Sequence, residues 1–498
     1  MPQVTEVVKL RRRVLTEIAR LAFEAKLKQD VDSILYTVVT EEGPRYRCCV
    51  YKERAVLKER IKLALSQPSD LEINEAVENA LRGKIADMPV INIMPVACDQ
   101  CPIDKFIVTN ACRNCLAHHC INSCPKQAIM VVQNRAYIDK NKCVECGMCK
   151  KSCPYGAIIE VNRPCESACD LGAIKAGKDR CAEIDYDKCV QCGSCKTACP
   201  FGAISDRSAI VQLIQAIKAG KKVYAVLAPA FIGQFGAKVK PSQVVEALKK
   251  MGFYAVAEVS LGADIVTLEE TKEFTASVPR QRKYMTTSCC PAFVSMIGKH
   301  LPAETNSVST TVSPMIAIGK VVKQREPDAV VVFVGPCTAK KAEAEQYEGI
   351  IDYVITFEEL ACMMVGAGLN MAKINEAVFE TSASRDGNSF AKAGGVMQSV
   401  MDMVDTVAPG TDIRPQSCEG LQNCMTAIQQ IISGKSDINF IEGMACEGGC
   451  VGGPGVLTNM KVTGKLVENF SKSAKAITAG ENEFAAAEVQ SGVHWHRE

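Results

Sequence analysis

The placement of cysteine constrains this chain more than any other feature, because thiols that converge on one inorganic group dictate where the loops between them can run. Twenty-seven of the 498 residues are cysteine, and most lie in Cys-x-x-Cys groups that end in Cys-Pro. A secreted disulfide scaffold is short, so dense runs in a long chain indicate metal binding instead. The chain is long enough for two or more domains, and 47% apolar residues supply ample core. A net charge of +2 points to no polyanionic partner such as nucleic acid. No apolar run is long enough to span a bilayer and Met1-Pro2-Gln3 opens no signal peptide, so a reducing cytoplasm is the expected setting.

Cys143-x2-Cys146-x2-Cys149-x3-Cys153-Pro154 and Cys189-x2-Cys192-x2-Cys195-x3-Cys199-Pro200 are bacterial ferredoxin runs. In such a run three closely spaced thiolates hold one cubane and the cysteine before proline reaches the neighbouring cluster. Cys112-x2-Cys115-x4-Cys120-x3-Cys124-Pro125 is the same run with two extra residues in its middle. This gives two clusters, Cys112, Cys115 and Cys120 with Cys153, and Cys143, Cys146 and Cys149 with Cys124. A third takes Cys189, Cys192 and Cys195 with Cys169, because Cys169-Asp-Leu-Gly-Ala-Ile mimics the Cys-Pro-x-Gly-Ala-Ile segments that begin at Cys153 and Cys199. Cys165, Cys181 and Cys199 then remain, and a fourth cluster would need one more ligand from Cys98-x2-Cys101, a count that does not close. Cys98, Cys101, Cys112 and Cys115 also admit a zinc reading, which takes two cysteines from a better-spaced run. His118 and His119 are read as packing or solvent-facing, and Cys48-Cys49 as structural.

Three stretches of the C-terminal half form a second constellation: Thr287-Ser288-Cys289-Cys290-Pro291, Gly335-Pro336-Cys337-Thr338-Ala339-Lys340-Lys341-Ala342-Glu343, and Glu442-Gly443-Met444-Ala445-Cys446-Glu447-Gly448-Gly449-Cys450. Cysteines from well-separated loops flanked by Gly and Pro can supply thiolates to another cubane. The spacing of Cys446 and Cys450 would put both sulfurs on one face of a helical turn. Lys340, three residues after Cys337, is placed to donate a charge-assisted hydrogen bond to an anionic ligand.

These stretches resemble the iron-only (FeFe) hydrogenases, whose catalytic domain carries TSCCP-x-W, MPC-x-x-K-x-x-E and E-x-M-A-C-x-x-G-C-x-x-GGG, and the likeness spans roughly residues 222 to 460. The resemblance implies an H-cluster: a 4Fe-4S cubane held by Cys290, Cys337, Cys446 and Cys450, sharing Cys450 with a two-iron subsite that carries CO, cyanide and a dithiolate bridge. It makes Cys289 a proton-carrying thiol rather than a ligand. Lys340 would bond one cyanide, Pro229 and Ala230 would contact the other, and Met444 would pack on the subsite. It also implies a proton path Cys289, Glu270, Ser309, Glu273 and then solvent, with the family's outer arginine falling on Ser277. The implied activity is reversible conversion of 2H+ and 2e- to H2, with ferredoxin or a similar carrier as partner and maturation enzymes inserting the two-iron unit. Gly335, Phe293, Glu447, Pro454 and Met315 depart from the common motifs and resemble a divergent, group B-like subgroup. Two alternatives stand beside this: a hydrogen sensor or slow uptake enzyme on the same scaffold, and a hydrogenase-like iron-sulfur assembly protein that lacks the two-iron subsite.

The expected architecture is a helical N-terminal region (1–92), an α+β ferredoxin-like iron-sulfur region (93–206) with three accessory 4Fe-4S clusters, or four, and an α/β catalytic domain (207–470). A small, polar, peripheral tail (471–498) completes the chain. Helical apolar spacing runs through Val7, Val8, Val14, Leu15, Ile18 and Leu21, and through Val56, Leu57, Ile61 and Leu65. A further helix-like stretch through Ile85, Ala86 and Asp87 is expected to stop at Met88, ahead of Pro89. In the catalytic region apolar strand-like runs (223–227, 255–259, 329–334) alternate with helical ones (241–251, 357–365), which predicts cluster loops at strand ends. Glu270 and Glu273 share one face of a helix. Cys362, Cys418 and Cys424 are read as structural.

Overall fold

Val223–Leu227 and Val330–Gly335 are continuous apolar runs, a pattern that suits strands covered on both faces. They form the middle of a four-stranded parallel sheet whose order is Ala255–Glu258, Val223–Leu227, Val330–Gly335, Tyr353–Thr356. A second parallel sheet runs Met285–Thr286, Phe440–Met444, Pro415–Glu419. The structure is a computed structural model that describes residues 4–43, 46–98, 101–102, 104–177, 179, 181–375 and 381–497. Parallel strands require crossovers, and helices such as Pro241–Lys250 and Pro314–Arg325 supply them. The helix Val259–Ser277 is buried around most of its circumference, which lets a helix otherwise short of amphipathic pattern carry Glu270 into the interior.

The N-terminal helix Glu6–Phe23 starts at Thr5, whose Oγ1 accepts from the N–H of Val8 at 3.4 Å. Its buried Val14, Leu15, Ile18 and Leu21 belong to the same apolar core as the catalytic sheet. It packs on Phe357–Gly366, where Gly366 is needed for close approach, since a Cβ there would lie 2.8 Å from the backbone N of Arg20. Arg11 clamps Glu358 through two bonds of 2.8 and 2.9 Å, and Arg12 adds a third at 3.0 Å. The helix before Pro89 ends earlier than its composition suggests. It stops at Leu81, because Gly83 turns the chain at φ +80° and the N–H of Ala86 bonds Ser66 O instead of a helical carbonyl.

The iron-sulfur region is two copies of one module, the second inserted into the first. Phe106–Val108 pairs antiparallel with Ile158–Glu160 and closes an inner copy. Ile91–Ile93 pairs with Ile204–Asp206 and closes an outer copy. Each contains a hairpin, Ile129–Val132 with Arg135–Ile138 inside and Ile174–Ala176 with Ala182–Ile184 outside. The outer copy docks on the catalytic domain, where Lys299 Nζ donates to Cys189 O at 2.8 Å and Thr338 Oγ1 donates to Gln191 O at 2.9 Å. A buried ion cluster joins the same two regions, with Asp206 held by Lys196 at 2.6 Å and by Lys341 at 2.9 Å.

The C-terminal tail is not peripheral. Trp495 is 3% exposed and Ala485 is fully buried. Asn482 Nδ2 donates to Asp264 at 2.7 Å, and the guanidinium of Arg497 donates to Ser288 O at 2.7 Å. The polar look of the tail hides one indole and a short apolar helix face, enough to dock it beside the motif that carries Cys289.

Candidate metal centre

Four loops leave the C-terminal ends of strands and meet at one cavity, the usual position for a ligand in an open α/β sheet. Ala228-Pro229-Ala230 comes after Val223–Leu227, Pro336-Cys337 after Val330–Gly335, Cys289-Cys290 after Met285–Thr286, and Ala445-Cys446 after Phe440–Met444. The cavity encloses about 850 Å³ free of protein atoms, part of it open to solvent, and Cys290, Cys337, Cys446 and Cys450 all line it with Pro229, Ala230, Cys289, Lys340 and Met444. Cys290 caps the helix Pro291–His300, whose proline at the first position gives up an N–H that would have had no partner. Cys446 and Cys450 do not share a helical turn, contrary to their spacing. Gly448 and Gly449 take φ of +75° and +79°, breaking the turn and delivering Cys450 on a short 3-10 segment. Gly449 must be glycine, because a Cβ there would sit 2.5 Å from the backbone N of Ala393.

Burial, reinforced by Cys290, pushes the thiols of Cys337 and Cys450 up to about 12, and burial raises Cys290 and Cys446 as well. Thiols this reluctant to ionise would need a metal's charge to hold them as thiolates. Lys340 Nζ pairs with Glu343 at 2.6 Å and donates to Cys289 O at 3.1 Å. Burial opposes its charge, yet Glu343 prevails and keeps it raised.

Away from the cavity a chain of acids leads outward. Glu270 Oε1 accepts from the N–H and the hydroxyl of Ser288, both at 3.0 Å. Burial raises its carboxyl to about 7, against the pull of Ser288. Burial also drives the Cys289 thiol well up, with the charge of Glu270 adding to it. Ser309 Oγ donates to Glu273 at 2.8 Å. Glu273 stays low despite burial because the N–H of Thr310, Arg282 and Ser309 all donate to it. Glu270, Glu273 and Ser309 therefore sit together on and around the helix Val259–Ser277.

Two residues here escaped sequence reasoning. Ser277 takes no arginine's place; it accepts from Arg282 Nε at 2.8 Å, and Arg282 reaches back to form the ion pair with Glu273. No spacing rule signals this, because a turn after the helix returns the guanidinium. His496, from the tail, meets Thr310 Oγ1 at 2.8 Å and lies 3.4 Å from Glu269.

The cysteines of the iron-sulfur region lie in groups. Cys112, Cys115, Cys120 and Cys153 line one small cavity, with His118 beside them. Cys124, Cys143, Cys146 and Cys149 line a second. Cys169 lies within electrostatic reach of Cys189, Cys192 and Cys195. Cys192 also lines the large cavity, so this third group adjoins the catalytic one. Cys112 and Cys115 line that first small cavity whereas Cys98 packs with Cys165 and Cys199, so the four cysteines of the zinc reading are not brought together. Cys48 and Cys49 are exposed at a helix start and are not core residues. Cys362, Cys418 and Cys424 are buried.

Such a fold and donor set define an iron-sulfur oxidoreductase. Residues 221–454 match the family described as iron only hydrogenase large subunit, C-terminal domain, and residues 136–159 and 182–205 match the 4Fe-4S binding domain. The chain is 30% identical to iron hydrogenase 1 of Clostridium pasteurianum, over 66% of this chain and 67% of that protein. It is 30% identical to a periplasmic iron hydrogenase large subunit of Nitratidesulfovibrio vulgaris, over 67% of this chain and 91% of that protein. A cytosolic Fe-S cluster assembly factor of Xenopus tropicalis is 25% identical over 42% of this chain and 55% of its own length. The chain belongs to the iron-only hydrogenase family. Among the described residues no helix is long and apolar enough to cross a membrane.

Proposed function

We propose that this chain is a hydrogenase of the ferredoxin type, interconverting 2H+ and 2e- with H2 at an H-cluster. The observation that carries the reading is the convergence of Cys290, Cys337, Cys446 and Cys450 on a cavity that also presents Cys289 and Lys340, neither of which is needed to hold a cubane. That pair supports an enzyme over an assembly protein of the kind found among its relatives. The four cysteines would hold the cubane. When bound, the H-cluster supplies the iron at which H2 forms or splits. Pro229, Ala230 and Met444 shape an apolar pocket around it, and the Lys340 ammonium, fixed by Glu343, offers a hydrogen bond to an anionic ligand.

Cys289 exchanges a proton with the site and with Glu270, Ser309 relays between Glu270 and Glu273, and Glu273 hands it to solvent. Arg282 keeps Glu273 ionised between transfers, and Thr310, hydrogen-bonded to His496, stands at the outer end of the path. Cys192, which also lines the cavity, would help hold the accessory cluster next to it, and that cluster would supply electron transfer to or from ferredoxin or a similar carrier in the cytoplasm. Maturation enzymes supply the two-iron unit. Infrared spectroscopy of matured protein tests this: CO and cyanide stretching bands are expected, and protein with a full cubane but no such bands after maturation would refute it.

A further inference from the structure

The nested modules settle which cysteines correspond. Backbone N–H to sulfur bonds recur in matched pairs. Ala128 donates to Cys124 and Ala173 to Cys169, both at 3.3 Å. Glu145 donates to Cys143 at 3.4 Å, as Gln191 does to Cys189 at 3.5 Å. Ala157 donates to Cys153 at 3.4 Å, as Ala203 does to Cys199 at 3.3 Å. The remaining pair is decisive: Ala136 donates to Cys112 at 3.5 Å, and Ala182 donates to Cys98 at 3.3 Å. Cys98 therefore occupies the place of Cys112, and Cys101, with the same two-residue spacing, that of Cys115. Cys165 stands in the sequence just ahead of Cys169 as Cys120 stands ahead of Cys124. With Ala182 matched to Ala136, Cys181 falls at the place that Arg135 has in the inner copy, a position without a cysteine there.

We propose that Cys98, Cys101, Cys165 and Cys199 hold a fourth accessory 4Fe-4S cluster. Cys98, Cys165 and Cys199 are buried in one apolar cluster, with Cys181 only at its edge. Cys165 feels the charges of Cys199, Cys98 and Cys101. Arg60 is a second, independent sign. It is 3% exposed, donates through one nitrogen to Gly202 O, and has Nε and Nη1 without partners among the described residues, close to Cys199. A buried guanidinium with spare N–H groups is costly unless an anion faces it, and a thiolate-ligated cluster is one.

The site explains how the insertion is wired. The inner module, with its two clusters, hangs on the chain between Cys101 and Cys165, so both of its tethers end in ligands of this cage. Held there, the fourth cluster would lie in the chain between the inner pair and the group of Cys169, Cys189, Cys192 and Cys195, and it would supply one-electron transfer between them. Any carrier that docks on the inner module is thereby connected to the catalytic cavity.

Protein purified anaerobically without maturation, so that only cubanes are present, tests the assignment independently of the infrared bands of the two-iron unit. About 20 iron atoms per chain are expected from five cubanes. Cys98, Cys101, Cys165 and Cys199 should resist alkylation until iron is chelated, whereas Cys181 should label in the native protein. Cys165→Ala should lose about four iron atoms and one cluster's electron paramagnetic resonance signal, and Cys181→Ala should lose neither. About 16 iron atoms in the intact protein, or labelling of Cys98 and Cys165 in its native state, would overturn the proposal, as would protection of Cys181 in place of Cys165. The labelling of the unaltered protein decides the matter even if Cys165→Ala does not fold.

Discussion

Replacing Glu270 by Gln separates proton transfer from cluster binding. The carboxyl is fully buried, one oxygen held by Ser288 and the other, Oε2, without a partner among the described residues. Burial raises it from the usual 4.5 to about 7, with the Ser288 and Ser309 donors opposing and the charge of Glu273 adding. At about 1.4 kcal/mol per unit, ionising this group inside the fold costs about 3 kcal/mol. The folded chain binds this proton more tightly than the unfolded one. Its stabilising contribution is therefore complete below pH 4.5 and disappears as the pH rises to about 7. Glutamine cannot titrate, so Glu270→Gln should be more stable than the parent above pH 7 by about 3 kcal/mol and should lose that part of the pH dependence. Its H2 output, measured with a reduced dye as donor, should fall by about 10²–10⁴ while the CO and cyanide bands stay in place. In the parent, H2 production should decline as pH rises through about 7, where Glu270 ceases to carry its proton. A variant with unchanged bands and a rate within about twofold of the parent would refute a relay through Glu270, because a relay group supplies far more than that.

The same geometry gives three further expected outcomes. Cys289→Ala should lower turnover by about 10²–10⁴ with cluster spectra unchanged, and near-normal turnover would remove Cys289 from the path. Arg282→Ala strips the Glu273 carboxylate of its ion pair, so turnover should fall about tenfold, the equivalent of one lost charge-assisted bond, with Arg282→Lys recovering part of it. Glu358→Ala leaves the Arg11 guanidinium buried without its bidentate partner and should cost about 3–5 kcal/mol, read as a lower unfolding midpoint with no change in the infrared bands.

Sequence spacing carried a great deal in this protein, for a physical reason. A cubane accepts thiolates from one tight turn, so Cys112, Cys115 and Cys120, or Cys189, Cys192 and Cys195, announce a cage without any knowledge of the fold. Apolar runs such as Val223–Leu227 likewise announce buried strands, and the catalytic motifs announce their own cysteines. Local pattern failed where the decisive partner came from elsewhere in the chain. Cys98 and Cys101 are separated from Cys165 by a whole inserted module, so no local spacing relates them, and the proposed match draws on the like hairpins that contain Arg135–Ile138 and Ala182–Ile184. Arg282 reaches Glu273 because the chain turns back after Ser277, and His496 reaches Thr310 because Trp495 buries the tail. The turn of Cys446 and Cys450 was misread because consecutive left-handed glycines override helical spacing. The amino-acid sequence by itself determined the family motifs, the grouping of the cysteines and the alternation of strand and helix. Tertiary structure alone decided which cysteine groups adjoin and what surrounds Glu270 and Glu273, since those contacts depend on sheet register and docking between segments far apart in the chain.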